Sequence, residues 1–223
     1  MLAHGANFYR LSAAKLMQFD PPAFTDADLE KVSKLLLENA VKHRELCLED
    51  ENGVMRFENS TNRTLINAAD GYKRLGRTSP FLNGAIWRAK PVLLSRYWSY
   101  TRIVGLYFPF FCEANVNIDV AACTIPFSAA HELAHTRGFA KEDECNFFAF
   151  LSCVNNASND YQYSGYLMAY SYCIGELNAK DGGKASAVTR ACSDAVWRDL
   201  NAERDYWKRF ETLCVAHGLS LKA

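Results

Sequence analysis

Residues 129–136 read AAHELAHT and contain the pattern H-E-x-x-H. Residues four positions apart share a face of an α-helix, so His131 and His135 can both reach one metal ion. Glu132 projects beside them, where a carboxylate can take a proton from a metal-activated water. The chain has only five histidines in 223 residues, and chance alone produces about 0.006 such patterns per chain of this composition. The pattern therefore predicts a metal site on a helix.

The residues around this pattern, from Phe127 to Ala134, carry no charge apart from the motif itself. A helix that faces solvent normally carries Lys and Glu at such positions. Two imidazoles and a carboxylate in an apolar helix need a polar partner, and a metal ion supplies one. The alternative is a helix with two surface histidines, which the apolar surroundings disfavour.

The segment after the motif offers candidates for a third metal ligand. A catalytic zinc ion usually has three protein ligands and one open position, and the next predicted helix opens with EDECN at residues 142–146. Glu142 shares a helix face with the small and polar Cys145 and Asn146, whereas Glu144 points about 160° away from it. We expect Glu142 to be the third ligand, with Glu144 as the alternative. The alternative for either residue is a carboxylate that only stabilises the N-terminus of the helix through its favourable interaction with the helix dipole.

The composition excludes several classes of protein. The 25 Lys and Arg residues balance 25 Asp and Glu residues, so no basic excess is present that would bind nucleic acid. Hydrophobic residues make up 49% of the chain, which is typical of a globular domain. No apolar run reaches the ~18 residues of a membrane-spanning helix, and no signal peptide is visible. The eight cysteines are scattered, and we expect free thiols.

The order of predicted elements is helices, a small sheet, then helices. Strands are expected only between 90 and 119, where β-branched and aromatic residues concentrate. This order favours an α+β fold over alternating βαβ units. We expect one domain over 1–223, with an N-terminal helical part (about 1–85), the sheet and metal site (about 86–156) and C-terminal helices (about 157–223). Helices are expected over 7–18, 26–47, 63–75, 127–136, 141–155, 160–178 and 185–217, with loops over 49–59 and 76–84.

These motifs resemble the zincin superfamily of metallopeptidases, in its gluzincin-like branch, where a second helix carries E-x-x-A-[ND]. The chain also resembles a bacterial family of uncharacterised predicted zinc peptidases that usually carry transmembrane helices before the soluble part. One departure is Cys145, where that family usually has Ala. The matching stretches are 107–110, 113–117, 131–138, 142–147 and 163–166.

The resemblance implies a zincin-like fold and a zinc ion (Zn2+) held by His131, His135 and Glu142, with Glu132 as the general base. It also implies the soluble part of a membrane-anchored bacterial protein, which would meet a membrane only through segments outside this chain.

The resemblance further implies a binding strand for an extended peptide. In gluzincins, the strand before the metal helix lies at a sheet edge and pairs with the substrate backbone. This assigns Ala114, Asn115 and Val116 to substrate binding. The alternative for the segment is an ordinary turn rich in Asn.

A hydrogen-bond donor for the transition state is expected downstream of the metal helix. The candidates are the tyrosines between 161 and 172 and His217. The resemblance favours Tyr166 first and Tyr163 second. Core aromatic packing is the alternative for each tyrosine.

Together, the pattern and the resemblance predict a zinc-dependent peptidase whose partner is a peptide or protein substrate. Two alternatives remain open at this stage. One is a zinc-bearing sensor or interaction domain without turnover, and the other is a metal hydrolase that acts on a non-peptide amide.

Overall fold

A computed structural model of the protein describes residues 9–216. Within this range the chain is mostly helical with two small sheets, which confirms the α+β class. The helices are α1 (Ala13–Leu16), α2 (Asp26–Arg44), α3 (Thr61–Leu75), α4 (Ser95–Ser99), α5 (Ile125–Thr136), α6 (Glu142–Val154), α7 (Asn159–Lys180), α8 (Gly182–Thr189) and α9 (Asp194–Ala216). The strands are β1 (Leu48–Glu49), β2 (Met55–Arg56), β3 (Lys90–Pro91), β4 (Gly105–Phe108) and β5 (Glu113–Val116).

Local capping explains where the predicted helices begin. Thr25 and Asp28 form a capping box that starts α2, each side chain accepting the other's backbone N–H. The hydroxyl of Ser60 accepts the N–H of Arg63 and starts α3. The first predicted helix, 7–18, lies partly outside the described residues, and within 9–18 only α1 is helical, because the hydroxyl of Ser12 accepts the N–H of Lys15 and starts the helix there. None of the helices within 9–216 combines the length and apolar character that crossing a bilayer requires.

Two expectations about secondary structure are wrong. The single helix expected over 185–217 is divided into α8 and α9, because Ser193 accepts the N–H of Val196 and starts a new helix. The loop expected over 49–59 contains β1 and β2, an antiparallel pair. Asp50 accepts the N–H groups of Asn52 and Val54, and Gly53 takes the positive φ of the turn.

The larger sheet has the order β3-β5-β4. The central strand β5 runs parallel to β3 and antiparallel to β4. Its Ala114 and Val116 side chains are buried toward the helices, and α5 packs against β4 and β5 on that face. The helix with the H-E-x-x-H pattern therefore lies directly against the sheet.

The largest buried cluster draws residues from all three predicted parts of the chain. It includes Leu65 and Tyr72 of α3, Leu133 of α5, Phe148 of α6 and Phe210 of α9. The Tyr72 hydroxyl donates a 2.7 Å hydrogen bond to the carbonyl of Ala130 on α5. The metal helix is thus held by α3 on one side and by the sheet on another. The cysteines with described side chains are free thiols.

Candidate metal centre

His131 and His135 lie one turn apart on α5, with their Nε2 atoms 3.2 Å from each other. Nδ1 of His131 is 2.8 Å from Oδ1 of Asn146, and Nδ1 of His135 is 2.9 Å from the carbonyl oxygen of Phe139. Both oxygens accept hydrogen bonds, so each Nδ1 carries the ring proton and each Nε2 presents a lone pair. Burial, followed by the neighbouring His135, lowers the pKa of His131 and keeps it neutral. Two facing lone pairs are the arrangement that a shared cation stabilises.

Glu142 meets these lone pairs at the start of α6. Its carboxylate oxygens lie 3.0 Å from Nε2 of His131 and 3.6 Å from Nε2 of His135. Gly138 has a φ of +85° and lets the chain turn back between α5 and α6. The other candidate, Glu144, accepts the backbone N–H of Ala13 at 2.9 Å and so faces away from the histidines. The structure brings Glu142, and not Glu144, to the two imidazoles.

Cys145 forms a second possible ligand set with the histidines. The ligand atoms of His131, His135 and Cys145 lie within 4.8 Å of one another, and this cluster is able to hold a metal ion. However, Sγ of Cys145 is 3.3 Å from Nδ1 of His135, on the side of the ring that already donates to Phe139. Burial, followed by the charge of Glu142, raises the pKa of this thiol well above its usual value. The thiol therefore lies behind one imidazole, while both Nε2 atoms point toward Glu142.

Glu132 packs between α5 and the sheet. Its side chain accepts the backbone N–H of Tyr107, while Oε2 has no hydrogen-bond partner among the described residues. Burial, followed by the charge of Glu142, raises the pKa of Glu132 to about 8. The strand β4 can approach this closely because position 105 is glycine, where a Cβ atom would collide with the Glu132 carboxylate. A buried carboxylate oxygen without a partner, beside two converging imidazoles, fits a site that binds a cation and a water.

A cleft of about 490 Å³ opens beside these residues. One wall is β4, which contributes Gly105, Leu106 and Tyr107. The backbone N–H of Asn117 donates to the carbonyl of Val104. In an antiparallel pair, every second residue turns its N–H and C=O toward the partner strand, so those of Gly105 and Tyr107 point away from β5. The cleft therefore runs along the outer edge of β4. Its lining also includes Phe127, Met168, Tyr172, Glu203 and Trp207.

The prediction that Ala114, Asn115 and Val116 bind substrate through a sheet edge is wrong in its geometry. These residues lie in β5, whose backbone pairs with β3 on one side and β4 on the other. The strand that precedes β5 folds back on it as a hairpin partner and takes the edge position itself. The free edge at the cleft, within the described residues, belongs to β4.

The two favoured tyrosines also do not reach the cleft. Tyr163 is fully buried and donates to Asp199 at 2.6 Å, and the ring of Tyr166 stacks on His43 at 5.4 Å. Nine helical positions separate Tyr163 from Tyr172, which places them on opposite sides of α7, about 180° apart. Tyr172 therefore lines the cleft. His217, also considered above, lies outside the described residues.

Several residues of the site carried no strong signal in the sequence. Asn146 was noted only as a polar residue beside Glu142, although it orients His131. Tyr107 stacks its ring on His135 with centroids 6.0 Å apart. Glu203 reaches the cleft from α9. The spacing of Met168 and Tyr172, four residues apart on one face of α7, was the signal that could have identified the cleft side of that helix.

If the cluster holds a metal ion such as zinc, replacing Asn146 with alanine is expected to weaken its binding by about 10-fold to 100-fold, because the amide that orients the His131 ring is lost. The measurement is a titration against a chromogenic zinc chelator. Asn155→Ala is the matched control, since Asn155 directly follows the same helix and its side-chain amide donates to the carbonyl of Leu151. An unchanged zinc affinity in Asn146→Ala would show that this contact does not orient the ligand.

The fold and the site define an α+β protein with a cleft whose histidine cluster is able to hold a metal ion. The chain belongs to a family described as "Protein of unknown function (DUF3810)", whose family model matches residues 1–218. No curated protein and no solved structure matches the chain.

Proposed function

We propose that this protein is a zinc-dependent metallopeptidase with a zincin-like fold. The observation that carries the proposal is the convergence of two imidazole Nε2 atoms and the Glu142 carboxylate, with the Glu132 carboxylate next to them. One carboxylate and two imidazoles are a ligand set of catalytic zinc sites, which leave a position open for water.

His131, His135 and Glu142 would hold the ion. When bound, zinc supplies the Lewis acidity that lowers the pKa of a water molecule and polarises the carbonyl group of the substrate. Asn146 and the carbonyl of Phe139 keep both imidazoles in the tautomer that the ion requires.

Glu132 acts as the general base. Gly105 and the backbone N–H of Tyr107 hold its carboxyl group at the cleft wall, with Oε2 unpartnered among the described residues. A cation held by the neighbouring ligands would lower the raised pKa of Glu132, and the ionised Oε2 could then receive a proton from water. The same carboxylate then delivers that proton to the amine nitrogen that leaves the substrate.

The edge of β4 and the phenol of Tyr172 complete the arrangement. An extended peptide can pair with the outward backbone groups of Gly105 in β4, since the N–H of Tyr107 is bonded to Glu132. Backbone pairing of this kind binds any peptide without reading its side chains. Burial, followed by the carboxylates of Glu142 and Glu203, raises the pKa of Tyr172. Its hydroxyl stays protonated at neutral pH and can donate a hydrogen bond to the developing oxyanion.

Metal removal tests the proposal. We expect the zinc-loaded protein to cut members of a mixed peptide library, the chelated protein to cut none, and one equivalent of zinc to restore cleavage. His131→Ala is the control, because adding zinc to this variant should not restore peptide cleavage. Peptide cleavage by metal-free protein would contradict the zinc mechanism. A zinc-loaded protein that cuts no peptide would favour a non-catalytic zinc domain, or a hydrolase of a non-peptide amide.

A further inference from the structure

The cleft contains a carboxylate that the proposed hydrolysis does not use. We propose that Glu203 makes the cleft selective for a cationic group of the substrate, namely an Arg or Lys side chain near the bond that is cut. This inference rests on the proposed peptidase function and names the class of peptide that the site would take.

Glu203 lies in the same cleft as the metal-binding residues but comes from another element, α9. The carboxylates of Glu142 and Glu203 both act on the phenol of Tyr172, so Tyr172 lies within electrostatic reach of each. Glu142, Tyr172 and Glu203 line one cleft, so a peptide held at the proposed metal ligands has the Glu203 carboxylate within the same cavity.

No described Lys or Arg forms an ion pair with Glu203. Its polar contact is the indole N–H of Trp207, and its side chain is half-buried. The neighbouring cation, Arg102, lies over the Trp207 ring at 5.5 Å, but its guanidinium pairs with Glu211 at 2.6 Å. Burial accordingly raises the pKa of Glu203.

Two buried aspartates within the described residues have partners from the chain itself. Asp199 has the guanidinium of Arg44, and Asp160 accepts the backbone N–H of Glu58. Withdrawing a carboxylate from water without a counter-charge costs free energy. An unpaired carboxylate at Glu203 therefore indicates that its counter-charge arrives with a ligand.

The walls around Glu203 fit a long cationic side chain. Phe127, Tyr172 and Trp207 line the cleft and offer aromatic surface to the methylene stem and to the cation itself. A guanidinium or ammonium group would pair with the carboxylate by charge-assisted hydrogen bonds. A neutral side chain of the same length would leave that carboxylate dehydrated and unpaired, which selects against it.

The test compares peptides that differ only in Arg, Lys or norleucine at each position beside the cut bond. We expect the zinc-loaded protein to cleave the best Arg or Lys peptide about 10-fold to 100-fold more efficiently, by kcat/KM, than its norleucine analogue. Glu203→Gln should remove this preference, because the cationic peptide loses its counter-charge and the norleucine peptide no longer dehydrates a carboxylate. Asp205→Asn is the matched control, because it removes the same charge from an exposed position of α9.

A second readout separates this inference from the proposed activity. Equilibrium binding of the same peptides is measured with the zinc-loaded Glu132→Gln protein, with and without Glu203→Gln. The Arg peptide should bind about 10-fold to 100-fold more weakly when Glu203 is replaced, and the norleucine peptide should bind no more weakly than before. This inference is overturned if cleavage and binding show no preference for cationic peptides, or if the preference survives Glu203→Gln. Neither result would contradict the proposed peptidase activity. Selective binding without any cleavage supports the subsite and contradicts the peptidase.

Discussion

Glu132→Gln is expected to lower kcat for peptide hydrolysis by about 100-fold to 10,000-fold, the usual contribution of a general base. Glutamine matches the size of glutamate, and its amide oxygen can still accept the N–H of Tyr107. It cannot take a proton from water. Glu132 is not among the residues proposed to hold zinc, so zinc affinity should remain that of the wild-type protein. The measurements are kcat with a cleaved library peptide and zinc content after gel filtration.

Glu144→Gln is the control for this prediction, because Glu144 lies two residues along α6 from Glu142 and bonds to Ala13 instead. It should leave both kcat and zinc content unchanged. If Glu132→Gln kept the wild-type kcat, the general-base role would be wrong. If it lost zinc, Glu132 would be a ligand and the assignment of Glu142 would need revision.

Asp199→Ala is expected to lower the free energy of unfolding by about 3–5 kcal/mol, as the removal of one partner of a buried ion pair usually does. Asp199 is fully buried and pairs with Arg44, which is 1% exposed. It also accepts the hydroxyl of Tyr163 at 2.6 Å and the backbone N–H of Met55 at 2.7 Å. Alanine would take the buried carboxylate from the Arg44 guanidinium, which keeps only the half-exposed Glu49 and the carbonyl of Gly53 among the described residues, and would leave two buried donors without their acceptor. Urea unfolding measures the change.

Two variants serve as controls for the unfolding measurement on Asp199→Ala. Asp205→Ala removes an exposed carboxylate from the same helix and should change the free energy of unfolding by less than about 0.5 kcal/mol. Tyr163→Phe removes one donor but leaves the ion pair, and should cost about 1 kcal/mol. A loss below about 1 kcal/mol in Asp199→Ala would mean that Glu49, the carbonyl of Gly53 and water compensate for the lost carboxylate at Arg44. A large effect on peptide cleavage by Tyr163→Phe, without unfolding, would restore a catalytic role for Tyr163.

The α+β class and most helix positions could be predicted because their signals are local. The capping box of Thr25 and Asp28 marks the start of α2 within four residues. The division between α8 and α9 was missed because Ser193 competes only weakly with a continuing helical pattern. The β1–β2 pair was missed because each strand has two residues, and only the Asn52-Gly53 turn signalled it.

The sequence by itself determined that His131, Glu132 and His135 share one stretch of helix, because the α-helical repeat alone sets that relation. The helical repeat also places Glu142 and Glu144 on different faces of α6, about 160° apart. The tertiary structure decided what faces these residues from other elements. Strand pairing made β4, and not β5, the edge at the cleft, and the packing of α7 turned Tyr172 inward and Tyr163 away.

The approach of Glu203 likewise depends on how α9 packs, about seventy residues after the metal helix. Such relations join residues that are distant in the chain. They depend on the free energy of packing the whole core, which no local pattern of residues encodes.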